Sequence, residues 1–595
     1  MRRRSATRHG TALALALFAL PVFPGSGQAQ TPAPPSPGPD AIPSREQVEI
    51  PKPTDPSSDP SSVRVDSRAV ERAPCPLEKF NLDVTINTVR FTGPNGDTLD
   101  PAIAELLADV EAPGAGRPVQ VICTIRDRAV DRLRDARYVA SVQIPPQAIE
   151  TGELRLEVVT ARIVDVRVRG DAAPYRATLA DRIRQLMALR PLNERDAERI
   201  LLLASDAPGL NVQLRLRPSP GGQPGDVVGD LEVSFVRAAL LANVQNYGSR
   251  QLGRETAFVR ADFYGLTGGP SLTYVGGSTT LDFDEQRVVQ AGHVQELNLR
   301  GLSLGADFLY AWSRPDLGDL DLRSQSLIAR LEADLPLVRS VATELDLTAG
   351  FEMIEQRTRV FGNAGQGGTP LNRDKLRVLF ARLSGSLREP KGDGTDSYSL
   401  GGSIELRKGI DVFGATRRGF VSPTSGYSPS RIEGDPNAWV VRGEVAGVVG
   451  LGPVFSLAAE GVAQWANEPL LNFEEFSIGN LTVGRGYDPG ANTADRAIGL
   501  RIEPRARIVS RPKLTVDLFG FYDSVWIYNL DSNTAENGRR LGSYGAGARL
   551  LLPGRAVLEV MYARPEDVPL LIPNARRAPD RLLISLTFQY PPGGR

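Results

Sequence analysis

The chain has 595 residues with 69 Lys and Arg against 70 Asp and Glu, so the two signs nearly cancel at a formal net charge of −1. That balance leaves no basic field for binding nucleic acid. Only two histidines, His9 and His293, are available for a Ser-His-Asp, Cys-His or zinc-type site, so binding and passage are expected rather than enzymatic chemistry, with no metal and no cofactor.

The N-terminus reads as a secretory signal. Arg2, Arg3, Arg4 and Arg8 precede a short apolar run at 11–23, and Gly27-Gln28-Ala29 is a small-residue cleavage site, which assigns residues 1–29 to a signal peptide. The run is shorter than the roughly 20 residues of a membrane-spanning helix, and no other segment comes close. Residues 30–74 are rich in Pro, Ser and Asp and read as an extended linker, with at most one or two helical turns at 44–50. His9 leaves with the signal, and His293 lies in a strand-like alternating run where a catalytic role is not expected. The two cysteines, Cys75 and Cys123, read as one disulfide in an oxidising compartment, the alternative being two free buried thiols.

From Phe80 the pattern is that of small α+β units. Alternation over 80–86, helical spacing over 101–110, a second helix at 126–135, and strands at 138–144 and 153–159 give the order β-α-α-β-β. The order then repeats. A strand at 164–168 is followed by helices at 174–189 and 193–205, with Asn193 as N-cap and Pro208-Gly209 as stop, and by strands at 212–216 and 230–236.

From about Ala238 the chain alternates for segment after segment. Leu327, Ala329, Leu331, Ala333 and Leu335 interleave with Arg330, Glu332 and Asp334, and Leu400, Ile404 and Leu406 with Ser403, Glu405 and Arg407. Strands of about 9–11 residues, apolar on one face and charged on the other, are what a lipid-embedded barrel requires, and roughly 350 residues at about 22 per strand and connection give about 16 strands. Only helices or a closed sheet satisfy every backbone group in lipid. Tyr310, Trp312, Trp439, Trp465, Trp526 and Tyr562 suit interface girdles or core packing. The chain closes on an aromatic-ended strand at 581–590.

Within 481–495 lies a Gly-Arg-Gly-Tyr turn, Gly484 to Tyr487, between strand-like runs. Downstream, Phe519, Phe521 and Asp523 share one strand face because the strand period is two. The turn resembles the VRGY/F lid-loop motif of the outer-membrane translocator and assembly superfamily, in which a loop folds back into the barrel and its arginine meets an aspartate of the wall. The repeated β-α-α-β-β units resemble POTRA domains, at 75–163 and 164–237, with the barrel at 238–595 and the lid loop near 480–497. Residues 138–163, Asn246-Tyr247-Gly248-Ser249, Leu406 to Ile410, Tyr544 to Leu550 and Tyr562-Ala563-Arg564-Pro565 are, in that order, similar to the two-partner secretion translocator (TpsB) family of the ShlB/FhaC/HecB hemolysin secretion/activation type. The resemblance implies an outer-membrane protein with periplasmic POTRA domains. It implies that a large secreted exoprotein (hemolysin, adhesin or similar) passes unfolded through a monomeric, lipid-embedded barrel. It also implies a latch in which Arg485 meets Asp523, with Gly486 allowing the turn and Tyr487 and Phe521 packing beside it; Glu503 is a second candidate partner. An assembly factor that inserts other barrels, and a passive porin-like barrel, are the alternatives. The chain departs from the family pattern at Arg137 and at Val525, each in a glycine's place, and at Gly484, where a looser lid tip is expected. With no long amphipathic helix in 30–74, no stable plug of the pore is expected.

Overall fold

The computed structural model describes residues 43–49, 74–362, 368–390, 396–419, 421, 423–532 and 534–591. The signal peptide and all of the 30–74 linker except 43–49 and Pro74 fall outside them.

The first small unit carries a helix at Pro101–Leu107 and another at Val121–Asp135. Its three-stranded sheet has Glu153–Thr160 at the centre, parallel to Thr88–Thr92 and antiparallel to Ala140–Gln143. The expected first strand is broken into Asp83–Ile86 and Thr88–Thr92, and the former pairs with Gly114–Pro118. That partner, Gly-Ala-Gly-Arg-Pro, carries no alternation to betray it, so sequence pattern missed it. Cys75 and Cys123 are disulfide-bonded with Cα atoms 5.8 Å apart, tying the entry of the unit to its longer helix. A loop of 48 residues corresponds to roughly 4 kcal/mol in the chain-entropy model. Cys75→Ser is therefore expected to speed amide exchange in Val121–Asp135 of the full-length protein; unchanged exchange would show that packing alone holds the helix.

After Ala161 the central strand runs on as Arg162–Gly170, an edge of the second sheet, whose order continues through Asp226–Phe235 to Leu210–Pro218. Helices Arg176–Ala188 and Glu194–Ser205 cover it. The Asn193 side chain caps the second by accepting from Arg195 N at 3.0 Å. Leu179, Leu186, Leu201, Val212, Leu214 and Leu231 form its core. Backbone bonds from Val139 N to Leu192 O, Leu192 N to Ala161 O and Ala161 N to Val139 O weld the two units together.

The remaining residues form a closed barrel of 16 strands from Ala238–Gln245 to Arg581–Tyr590, sealed by the register Ser585↔Gln245 to Tyr590↔Leu240. Side chains alternate as expected. Leu331 and Ile404 are 61% and 55% exposed on the outer face, whereas Glu352 and Arg407 are 0% and 3% exposed in the lumen. The outer wall therefore offers hydrocarbon to lipid while charges hydrate or neutralise one another inside. Several strands are far longer than expected: Asp321–Arg339 and Thr343–Phe361 have 19 residues and Thr369–Pro390 has 22. Beyond the apolar band the ribbon continues with polar residues on both faces, Arg357 and Arg373 on one and Thr358 and Asn372 on the other, and alternation no longer marks it.

One end of the barrel rests on the second small unit. Arg182 donates to Glu296 at 2.9 Å, Arg339 pairs with Asp206 at 2.8 Å, and Tyr175 Oη lies 3.4 Å from Ser271 O across the junction. The long connections 410–438 and 467–495 are at the opposite, distal end. All six aromatics named above stand near distal strand ends, while Phe455, Phe588 and Tyr590 are exposed at the other end.

Candidate functional site

The connection between strands Phe455–Ala466 and Arg496–Arg511 does not stand out into solvent. It folds inward as a 3-10 turn, Asn472–Glu474, and a short hairpin of Phe476–Ile478 with Asn492–Ala494. The turn between the hairpin arms carries the Gly-Arg-Gly-Tyr motif. Gly484 sits at φ +113°, a conformation that side chains resist. Gly486 packs so closely that a Cβ would fall 2.7 Å from Pro565 N and 2.8 Å from Ser543 Cβ.

This backbone delivers Arg485 to the wall. Its Nη2 and Nε donate to Asp523 Oδ1 and Oδ2 at 2.9 and 3.2 Å, and its own backbone N–H donates to Oδ2 at 2.8 Å. Nη1 donates to Glu503 Oε2 at 2.6 Å, so both candidate partners hold one guanidinium. The Phe521 ring lies 3.7 Å from the guanidinium carbon, face on. Arg501 approaches Asp523 at 3.5 Å and Arg505 pairs with Glu503 at 2.7 Å, so each acid is shared. The forked, planar shape of arginine makes such a two-acid grip feasible where an ammonium would reach one point. Arg485, Glu503 and Asp523 are all buried. A cavity of about 380 Å³ adjoins them, lined by Arg485, Arg501, Glu503, Arg505, Arg549 and Glu559 among others.

The tip is not loose. Val483 and Val525, together with Ile478, Tyr487, Ala497 and Leu541, form one buried apolar cluster. Val483 supplies the branched side chain that Gly484 lacks, and Val525, in the glycine's place, fills the same seat. Tyr487 Oη donates to Gly542 O at 2.8 Å.

Sequence reasoning missed two further anchors. Asp488 accepts from Arg581 at 2.9 Å and Arg254 at 3.2 Å, tying the tip to the barrel seam. The second is larger and lies on the other flank of the loop. Glu474 pairs with Arg407 and Arg45 at 2.8 Å each and with Arg442 at 3.1 Å. Glu352 pairs with Arg407 at 2.5 Å, Arg330 at 2.6 Å and Arg45 at 3.1 Å. Arg45 belongs to the helical turn Arg45–Val48, predicted at most as a turn in an extended linker and found inside the barrel. Val48 packs there with Leu471, Phe473, Ile354 and Leu376. Gln47 donates to Pro489 O of the lid loop at 3.1 Å. A long amphipathic helix is thus unnecessary for occupancy of the lumen: one turn suffices because a buried charge cluster and a small apolar patch hold it. The only sequence signal was the inward parity of Glu352, Glu405 and Arg407.

Residues 391–550 match the family of haemolysin secretion/activation proteins ShlB/FhaC/HecB. No curated protein matches the sequence. Among solved structures, CdiB from Escherichia coli aligns with TM-score 0.67 at 16% identity, over 90% of this chain and 95% of that one. CdiB from Acinetobacter baumannii aligns with TM-score 0.58 at 14% identity, over 89% and 93%. At such identities the likeness is one of fold: small α+β units leading into a 16-strand barrel. The family match thus lies inside the barrel, the fold is shared over nearly the whole length, and the closed 16-strand barrel with its lipid-facing apolar wall places the chain in the outer membrane.

Proposed function

We propose that this chain exports one large exoprotein across the outer membrane. The unfolded partner docks on the two periplasmic POTRA units, passes through the barrel as an extended polymer and folds outside. The observation that carries this reading is a lumen occupied by two elements with reversible anchors. The lid loop is held by Arg485 on Asp523 and Glu503, and residues 43–49 are held by Arg45 on Glu352 and Glu474. A passive pore has no use for such a closure, and ion pairs can re-form after a polymer has passed. Arg485 and Asp523 act as a latch, not as catalysts.

Docking is read as strand addition to an open sheet edge, and each small unit has a three-stranded sheet with two edges. The test is co-expression with the exported β-helical protein encoded nearest to this chain, measuring that protein in the medium. Wild type is expected to release it, and deletion of 76–235 to abolish release while the barrel still reaches the membrane. Equal release by the deletion would remove the docking role. If wild type releases nothing while its depletion lowers other outer-membrane barrels, assembly of barrels becomes the function.

A further inference from the structure

The chain contains four tryptophans. Each stands at the distal end of a barrel strand with its ring on the outer face, and each has a cation beside it. Trp312 is directly opposite Arg287, Trp439 opposite Lys408 and Trp526 opposite Arg540 in the strand register. Trp465 has the Arg496 guanidinium over its ring at 5.4 Å, and Lys408 Nζ lies 5.0 Å from the Trp439 ring centre. These cations share the lipid-facing side with exposed Val289, Leu406, Ile498 and Tyr544. They are therefore not lumen charges.

Their partners are informative. Arg287 donates to Phe283 O at 2.8 Å, Lys408 to Asn437 O at 2.6 Å and Arg496 to Ala466 O at 2.8 Å. All three acceptors are backbone carbonyls, and among the described residues none of the three makes an ion pair. Only Arg540 has a carboxylate, Glu566 at 3.0 Å. Charges on a lipid-facing wall are tolerated near the interface and not at mid-depth, and tryptophan favours the boundary between hydrocarbon and headgroups. A ring at that boundary with an uncompensated cation next to it presents an apolar shelf for acyl chains and a positive charge at headgroup height.

We propose that these four pairs form a collar that binds phosphate-bearing lipid headgroups of the outer leaflet. Anionic phosphate supplies the counter-charge that the protein withholds from three of the four cations, and a cation beside every tryptophan makes a chance juxtaposition a poor account. The proposal depends on the barrel lying in the outer membrane and not on what the barrel exports.

The test is lipid retention by the full-length protein in detergent, read by native mass spectrometry with bisphosphorylated lipid A and its dephosphorylated counterpart as probes. Wild type is expected to retain the phosphorylated form at least tenfold better. R287Q/K408Q/R496Q/R540Q is expected to lose that preference, while R511Q/K513Q/R555Q, which removes cations from the turns at the other end, keeps it. Heat-modifiable migration reports whether each variant folds, and Lys408→Gln alone, expected to weaken retention measurably, replaces the fourfold variant if that one does not fold. Equal retention of the two lipids by wild type would overturn the proposal, as would a folded fourfold variant that keeps the preference.

Discussion

Arg485→Ala is expected to unseat the lid loop, raising ion conductance of the purified barrel and cutting export of its partner. The guanidinium is the counter-charge common to Asp523 and Glu503. Its removal leaves two buried carboxylates facing each other's field, relieved only in part by Arg501 at 3.5 Å and Arg505 at 2.7 Å. Removing one partner of a buried pair costs about 3–5 kcal/mol, which shifts the seated population by on the order of 10²–10⁴-fold. Export falls because an unseated loop occupies the lumen without a fixed path around it. Arg485→Lys is expected to lie between the two, since an ammonium meets one acid and not both. Conductance of Arg485→Ala equal to that of wild type would place the seat in the Val483 and Tyr487 cluster instead.

The second large effect is expected at Glu352, which is fully buried and neutralises Arg45, Arg330 and Arg407 together. Glu352→Ala leaves three arginines crowded in the lumen, with Glu474 on Arg45 and Arg407, Glu49 on Arg45 and Arg330, and Glu405 on Arg407 as the acids that remain. The element with least else to hold it is the turn Arg45–Val48, so it leaves first. Protease cutting at 43–49 in the folded protein is the readout, with release expected in Glu352→Ala and near-complete protection in wild type. Because Glu474 lies in the lid connection and binds both Arg45 and Arg407, release of the turn is expected to loosen the lid as well, so that conductance rises in the same variant. Protection unchanged in Glu352→Ala would mean that Val48 and its apolar neighbours are sufficient.

The parts of this site that were legible in sequence are those governed by short-range rules. Phe519, Phe521 and Asp523 fall on one face by strand parity alone, and Gly-Arg-Gly-Tyr marks a tight turn carrying a fork-shaped cation. The 16 strands follow from alternation and connection length. What parity cannot supply is which distant charges meet. Arg45 and Glu352 are separated by 307 positions, and the helical turn expected at 44–50 carries no sign of where it docks. Gly114–Pro118 was invisible because a glycine-rich edge carries no pattern. The expected looseness of the tip failed for a related reason: Gly484 was weighed without its neighbour Val483, whose burial beside Val525 restores the packing.

The most direct test of the central claim, that the partner's path requires the lid to leave its seat, is to fasten it there. Val483 at the lid tip faces Gly499 on the wall, where a Cβ would lie 3.2 Å from Val483 Cβ with only the Val462 side chain crowding it, and a cysteine pair at positions 483 and 499 is within reach of a disulfide after a small shift. Carried in a Cys75→Ser, Cys123→Ser background, so that reductant acts on no other bond, the oxidised pair is expected to block release of the exoprotein and the reduced pair to restore it. Release that is the same with the bond closed and open would contradict the account.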